Sequence, residues 1–263
     1  MSPTVHSSFY KFVALDDPAA LAAGLRALAG PLLGSVLVAH EGLNGVLAGP
    51  EEALDAFERG LTRDPRFAGM AFKRSACRTP PFARLAIHVK PEVVTVGVPY
   101  APAVGTQRTP QEWRDLMARD DVVVLDNRNS FEYRLGHFAG AVDPGVTNFR
   151  DFPRYVAEHA AEWKAAGKEV AMYCTGGIRC EKTAAWMQDL GLTVHELQGG
   201  ILNYFHAMPD AERDWQGECF VFDNRIALDT HLQQTDTTAE QVYAGEPDGE
   251  WRLARAKRLH EAA

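Results

Sequence analysis

The sequence predicts an α/β protein of two domains: a smaller α+β domain of ferredoxin-like order, then a larger domain whose central parallel sheet is flanked by helices. Three observations predict it. At 263 residues the chain is long for one domain and comfortable for two. The stretch before Pro91 reads as strand, helix, two strands, helix, strand, which is the ferredoxin-like order. Beyond a proline- and glycine-rich stretch, short apolar strands alternate with amphipathic helices, the pattern of a mainly parallel sheet. The expected limits are 1–95 for the first domain, 96–108 for a linker, 109–225 for the second domain and 226–263 for a tail.

Each element has its own signal. FYKFVAL is an apolar, aromatic-rich strand, and Asp16-Asp17-Pro18 supplies a cap and first-turn proline for AALAAGLRALAG, a helix ended near Gly30. SVLVAHEGLNGVLAGP reads as two short strands around the turn-prone Gly42-Leu43-Asn44-Gly45, followed by a helix in EEALDAFERGLTRD and a strand in RLAIHVK. Pro99, Pro102, Gly105 and Pro110 mark the linker. Thr109-Pro110 then starts the amphipathic helix QEWRDLMA, and VVVLD is an apolar strand ending on an acid. A helix over about 150–166, the strand EVAMYC, the loop TGGIR and a helix from about Cys180 to Leu190 continue the alternation. Functional groups of such a sheet lie at the carboxyl ends of its strands, where Cys174 sits. Beyond Asp223, QQTDTTAEQVYAGEPDGE shows no core pattern and RLARAKRLHEAA at most a peripheral helix, so the tail is expected to be partly disordered.

Composition narrows the function classes. With 46% hydrophobic and 24% charged residues the chain is of soluble globular type. No apolar run reaches membrane-spanning length, and MSPTVHSSFYKF lacks the layout of a signal peptide, so a cytoplasmic location is expected. Cys77, Cys174, Cys180 and Cys219 form no CxxC pair and no tight Cys/His cluster, which points to free thiols and no metal site. The net charge of -8 hides a local excess of the opposite sign: Arg66, Lys73, Arg74, Arg78, Arg84 and Lys90 fall in a stretch with no acid, a positive patch suited to a nucleic-acid backbone or to an ordinary solvated face.

YCTGGIRCEKT carries the chemistry. A thiol at a strand end, two glycines and a helix start describe a loop whose N–H groups turn toward one point. Those amides, the helix dipole and Arg179 lower the pKa of Cys174 and activate it, while Gly176 and Gly177 let the backbone close up. Cys180, at the start of the helix, is either packed or auxiliary to Cys174.

Cys174, Thr175, Gly176, Gly177, Ile178 and Arg179 resemble the active loop of rhodanese-like sulfurtransferases. DNRNSFEYRLGHFAGAVDP resembles that family's second signature, with Asp126, Arg128, Glu132 and His137 at the matching positions. The Cys-x4-Arg spacing is one residue shorter than the phosphate loop of cysteine phosphatases and suits a more compact group than a phosphoryl dianion. A narrower resemblance covers nearly the whole chain: EGLNGVLAG, NFRDFPRYV, YCTGGIRCEKTAAWM, LQGGILNYF and GECFVFDNRIAL are similar to segments of the rhodanese-like tRNA uridine hydroxylases. That resemblance implies a rhodanese-type domain behind an acylphosphatase-like, ferredoxin-like domain. It implies oxygen-dependent hydroxylation at C5 of the wobble uridine, with the sulfur of Cys174 essential, molecular oxygen as co-substrate and the tRNA anticodon loop as partner. No flavin, haem or mononuclear iron signature identifies a cofactor. Many members continue past the FDxR segment into a cysteine-rich tail, and this chain has no cysteine after Cys219.

Roles follow for the remaining residues. Asp126, Arg128, Glu132 and His137 are expected to form a buried network that orients the loops rather than to meet the substrate. Thr147, Asn148, Phe149 and Arg150 precede a helix and either cap it or line the pocket. Tyr173, Phe205 and Trp186 are expected in the core rather than stacked on a base. On this basis the acid-free stretch grips the tRNA backbone and the thiolate adds to C6 of the uracil. The rival functions are sulfur transfer through a Cys174 persulfide and a regulatory binding module with a dormant loop.

Overall fold

The computed structural model describes residues 4–260. Its contacts divide the chain into two units: one holds the chain up to Thr95, Phe222–Arg225 and the chain from Glu250, the other Val96–Val221 and Ile226–Gly249.

The first unit contains β1 (Thr4–Phe12), α1 (Pro18–Ala29), β2 (Leu33–Ala39), β3 (Gly42–Gly49), α2 (Glu51–Thr62), β4 (Phe72–Cys77) and β5 (Leu85–Val89). The sheet order is β4-β1-β3-β2-β5, antiparallel except for the parallel β2–β5 pair. RLAIHVK is therefore a fifth strand at an edge. The fourth strand of the ferredoxin-like order is β4, whose polar FKRSAC carries no apolar run. The expected turn at Gly42-Leu43-Asn44-Gly45 also moves, because Ala39 pairs with Gly42 and the hairpin turns at His40-Glu41. Those glycines lie inside β3, where close packing selects them: a Cβ on Gly45 would come within 2.6 Å of the Phe9 ring.

Asp17 caps α1 by accepting from the Ala20 N–H at 2.9 Å, and Glu51 and Glu52 place negative charge at the start of α2. The apolar sides of both helices meet the sheet through Leu25, Leu54 and Phe57 against Phe9, Val36 and Leu47, all buried. Each such side chain contributes about 1.5–3 kcal/mol on burial.

Phe222–Arg225, expected in the second domain, packs into this first unit. Arg225 donates to Asp223 at 2.8 and 2.7 Å and to the Ser75 hydroxyl at 3.1 Å, and the Asn224 N–H donates to the Pro81 carbonyl at 3.1 Å. His6 lies 3.5 Å from Asp223, and burial together with the Arg225 charge pushes its pKa down to about 4, against the pull of Asp223.

The second unit runs β6 (Gln107–Arg108), α3 (Pro110–Met117), β7 (Val122–Asp126), α4 (Ser130–Leu135), β8 (Gly136–Phe138), α5 (Phe152–Ala165), β9 (Glu169–Tyr173), α6 (Ile178–Asp189), β10 (Val194–Leu197) and α7 (Gly200–Ala207). β11 (Trp215–Gly217), β12 (Cys219–Phe220), β13 (Ala227–Leu228) and α8 (Ala239–Tyr243) follow; α9 (Gly249–His260), which belongs to the first unit from Glu250 on, ends the described chain. The main sheet, β6-β10-β9-β7, is parallel throughout. The end of the expected linker is thus a sheet strand. Part of the expected tail has core residues too: Ile226, Ala227 and Leu228 are buried, and Thr238 with Gln241 forms a capping box that starts α8.

Register assigns the side chains of this sheet to two faces. Leu125, Met172 and Glu196 are partners across the strands and share one face, on which Thr183 of α6 contacts Met172. Asp126 and its partner Tyr173 point to the other face, where Tyr173 packs with Trp113 of α3 and Tyr204 of α7. No helix among the described residues is long and apolar enough to cross a membrane.

Candidate active site

Cys174 follows the last residue of β9 and is 1% exposed. Its surroundings are polar, and the loop amides turn inward: the Gly177 N–H donates to Sγ at 3.1 Å. Gly177 has φ 101° and caps α6, a left-handed conformation that favours glycine. Gly176 is different. Its φ is not positive and a Cβ there would meet nothing within 4 Å, so of the two glycines the loop geometry requires only Gly177.

Burial alone would raise the Cys174 pKa. The hydrogen bond from the Cys180 thiol, the charge of Arg179 and the N–H groups of Cys180 and Arg179 outweigh it and hold Cys174 well below the ordinary thiol range. Cys180 moves the opposite way: burial and its bond to Cys174 hold it well above that range. The shifts favour the anionic form of the Cys174 sulfur and the neutral, donating form of Cys180.

Arg179 makes a bidentate pair with Glu132, at 2.8 and 2.7 Å, and its guanidinium carbon lies 6.0 Å from the centre of the Phe149 ring. Burial would raise the Glu132 pKa, but Arg179 and then Arg128 hold it below the ordinary carboxylate range. Asp126 and Arg128 form a second bidentate pair, at 2.9 and 2.6 Å. Arg128 also donates to the Gly136 carbonyl at 2.6 Å and lies over the Tyr173 and Trp215 rings, so it braces the end of β7. The His137 ring stacks on Tyr133 at 3.9 Å, and its Nδ1 lies 2.9 Å from the Tyr133 carbonyl oxygen. Cys174, Cys180, Arg179 and Glu132 are therefore joined to one another, whereas Asp126 and Arg128 pair with each other and His137 stacks on Tyr133. Tyr173 and Phe205 are core residues, and Trp186 is half-buried.

Sequence reasoning missed three residues here. Gly200, at the start of α7, has φ 70°, and a Cβ on it would lie 2.4 Å from the Cys174 carbonyl oxygen and 2.8 Å from the Gly177 nitrogen. That closeness lets the Ile201 and Leu202 N–H groups donate to the Cys174 and Thr175 carbonyls at 3.0 and 3.2 Å, so α7 clamps the loop. The Gly-Gly of LQGGILNYF was the available signal. Asn127 donates to Thr183 at 3.1 Å and to the Met172 sulfur at 3.5 Å. Glu196, at the end of β10, is buried beside Thr106 and had no motif to mark it.

The positive stretch of the first unit divides into two sets. Arg66 is paired with Asp64 at 2.6 Å, and Arg74 is held by Asp55 and Glu58 at 2.6 and 2.8 Å. Lys73 lies over the Tyr10 ring and Arg78 is exposed. Arg84 and Lys90 are exposed with no acidic partner among the described residues. Arg84 lines a groove of about 340 Å³ with Arg26, His88 and the β5 residues Leu85, Ala86 and Ile87, and Arg26 donates to the Ile87 carbonyl at 2.5 Å.

Comparison with known proteins adds independent findings. Residues 4–93 match the UPF0176 acylphosphatase-like domain and residues 109–207 match the rhodanese-like domain. The chain is 39% identical over 256 residues to a protein of Legionella pneumophila named tRNA uridine(34) hydroxylase, covering 92% of this chain and 97% of the relative. Proteins of the same name from Synechococcus elongatus and Deinococcus radiodurans are 47% and 45% identical, covering 86% and 89% of this chain and 86% and 79% of theirs.

Proposed function

The chain belongs to the tRNA uridine(34) hydroxylase family, and from that premise we propose that it modifies tRNA, hydroxylating C5 of the wobble uridine with molecular oxygen as co-substrate. The observation that carries the proposal for this chain is the Cys174 sulfur, held as an anion by inward amides, a neighbouring thiol and Arg179. Such a thiolate is a soft nucleophile matched to C6 of uracil. Its electron pair forms the S–C6 bond, and the C5=C6 pair moves toward C5 and O4, which makes C5 electron-rich for attack on an oxygen species. Arg179 keeps the loop positively biased, and Glu132 fixes its orientation.

The tRNA partner, and the anticodon loop in particular, rests on the family and on the charge of the first unit. Of the six basic residues in the acid-free stretch, Arg84 and Lys90 are the best placed to bind phosphates, joined by Arg26 and His88 at the β5 groove, because Arg66 and Arg74 already carry carboxylate partners. The wobble base, unstacked as loop bases can be, is then presented to the thiolate.

Nucleoside mass spectrometry of tRNA from cells lacking the protein tests this directly. Loss of 5-hydroxyuridine derivatives, restored by the wild type and not by Cys174→Ser, is expected. Full restoration by Cys174→Ser would remove the nucleophile, and unchanged tRNA would remove the function. Tryptic mass spectrometry of a complex with 5-fluorouridine-containing tRNA is expected to show an adduct on Cys174, and its absence would remove the addition to C6.

A further inference from the structure

We propose that Glu196 is the proton donor and acceptor that works with Cys174 on the uracil ring, a role that rests on addition of the thiolate to C6. The juxtaposition comes from strand register. Glu196 on β10 lies opposite Met172 on β9 in the parallel ladder, so both side chains point to the face covered by α6. Cys174 is two residues beyond Met172 and continues that alternation, and Cys180 meets it from α6. Asp126, the other acid at a strand end of this sheet, points to the opposite face and is occupied by Arg128.

The bonding of Glu196 leaves one oxygen for chemistry. The residue is 2% exposed, its N–H donates to the Thr106 carbonyl at 2.7 Å, and Oε1 accepts from the Thr106 hydroxyl at 2.5 Å. Oε2 is the one buried carboxylate oxygen with no close hydrogen-bond partner among the described residues, the Gln107 side chain contributing a weaker hydrogen bond to the carboxyl than Thr106 does. Buried polar atoms of folded proteins are nearly always paired, so an orphaned carboxylate oxygen within charge range of Cys174 is a candidate to meet substrate. The groups around Glu196 are Thr106 just before β6, Gln107 of β6, Cys174 beyond β9, and Cys180 and Glu181 of α6, with Tyr100 next to Glu181. Burial, with the charges of Glu181 and Cys174, outweighs the hydrogen bonds from Thr106 and Gln107 and pushes its pKa up to about 7. On β10 itself, His195 points to the opposite face and is held by Glu169 at 2.6 Å. A carboxyl that titrates near neutrality can both give and take a proton at working pH.

The step balances without an oxidant. Sγ of Cys174 bonds to C6, the C5=C6 electron pair takes the proton of Glu196 at C5, and Glu196 is left as carboxylate. In the reverse direction the carboxylate can take back only the hydrogen on its own face; when water instead removes the original hydrogen from the opposite face, the double bond re-forms, the S–C6 pair returns to sulfur, and Glu196 is reprotonated from solvent. One cycle exchanges the C5 hydrogen with solvent.

The test is release of tritium from C5 of the wobble uridine by the full-length protein with oxygen excluded. Wild type is expected to release tritium and Cys174→Ser to release none. Glu196→Gln is expected to slow release by about a hundredfold, the scale of lost general acid–base catalysis. That variant should keep the ultraviolet absorbance of the Cys174 thiolate, and Glu196→Asp should recover part of the rate. Wild-type release should fall as pH rises through about 7, and the residual rate of the Gln variant should lack that limb. Wild-type release rates in Glu196→Gln, or an unchanged alkaline limb, would overturn the role of Glu196 while leaving C6 addition intact. Loss of the thiolate absorbance in that variant would reassign Glu196 to structure. No release by the wild type would overturn C6 addition itself, and this proposal with it.

Discussion

The cores of the two units are built on different principles. The first unit closes around side chains such as Phe9, Leu25, Val36, Phe57 and Phe67, and its buried polar groups are few: His6 and Ser7 on β1, Arg225 in the inserted tetrapeptide and Arg252. The second unit buries Asp126, Asn127, Arg128, Glu132, Arg179, Lys182 and Glu196. Burying charge costs more than apolar packing of the same volume unless every charge is paired. The second unit carries that cost at the carboxyl ends of its strands, where a thiolate has to be stabilised away from water. The difference ties the buried charge to the surroundings of the proposed nucleophile, while apolar burial supplies the stability of both units.

The comparison can be broken with substitutions. Glu132→Ala leaves Arg179 buried without its partner, and a loss of about 3–5 kcal/mol is expected in denaturant unfolding of the second unit, with loss of the Cys174 thiolate absorbance. Phe57→Ala is expected to cost about 3–5 kcal/mol in the first unit through an apolar cavity, with the thiolate untouched. A thiolate lost in Phe57→Ala, or kept in Glu132→Ala, would break the division of labour. Gly200→Ala comes next. The left-handed backbone alone costs about 1–2 kcal/mol, and the contacts with the Cys174 carbonyl and Gly177 nitrogen add to it, so activity should fall further than stability does. Hydroxylation measured against melting temperature decides that point.

Smaller effects sharpen the contrast. Cys180→Ala removes the thiol that donates to Cys174, and the Cys174 titration followed by ultraviolet absorbance is expected to move to higher pH. An unmoved titration would assign the lowered pKa to Arg179 and the amides alone. The pH dependence of stability should run in opposite directions in the two units. His6 has a folded pKa near 4 against 6.5 for the free group, so the unfolded chain takes up the proton first and the first unit loses stability as pH falls from 6.5 toward 4. Glu196 has a folded pKa near 7 against 4.5, so its neutral form favours the folded second unit, and that contribution is lost as pH rises from 4.5 through 7. Comparing the pH-dependent melting of wild type with His6→Gln and Glu196→Gln is expected to flatten one slope in each variant.

Much of this molecule was legible along the chain because the signals are local. Periodicity, caps and turn residues located most of the helices and the apolar strands, and the thiol, the glycines and Arg179 lie within six consecutive residues of Cys174 to Arg179. What stayed hidden depends on pairing between distant segments. The polar strand β4 exists because β1 offers it an edge, and Gly45 lies in a strand because Phe9 packs over it. For Arg66 and Arg74 the choice between a binding patch and an ordinary solvated face was open along the chain, and the ion pairs with Asp64, Asp55 and Glu58 decide it for the latter.

The sequence by itself located the proposed nucleophile and the two-domain plan, since a loop of contiguous residues carries its own geometry. Only the tertiary structure decided which groups surround that nucleophile. Glu196, Gly200 and Glu132 reach Cys174 and its loop through strand register, a helix start and a buried ion pair. The physical reason is that the charge state of a buried group is set by neighbours in space, and in a parallel sheet those neighbours come from strands far apart in the chain.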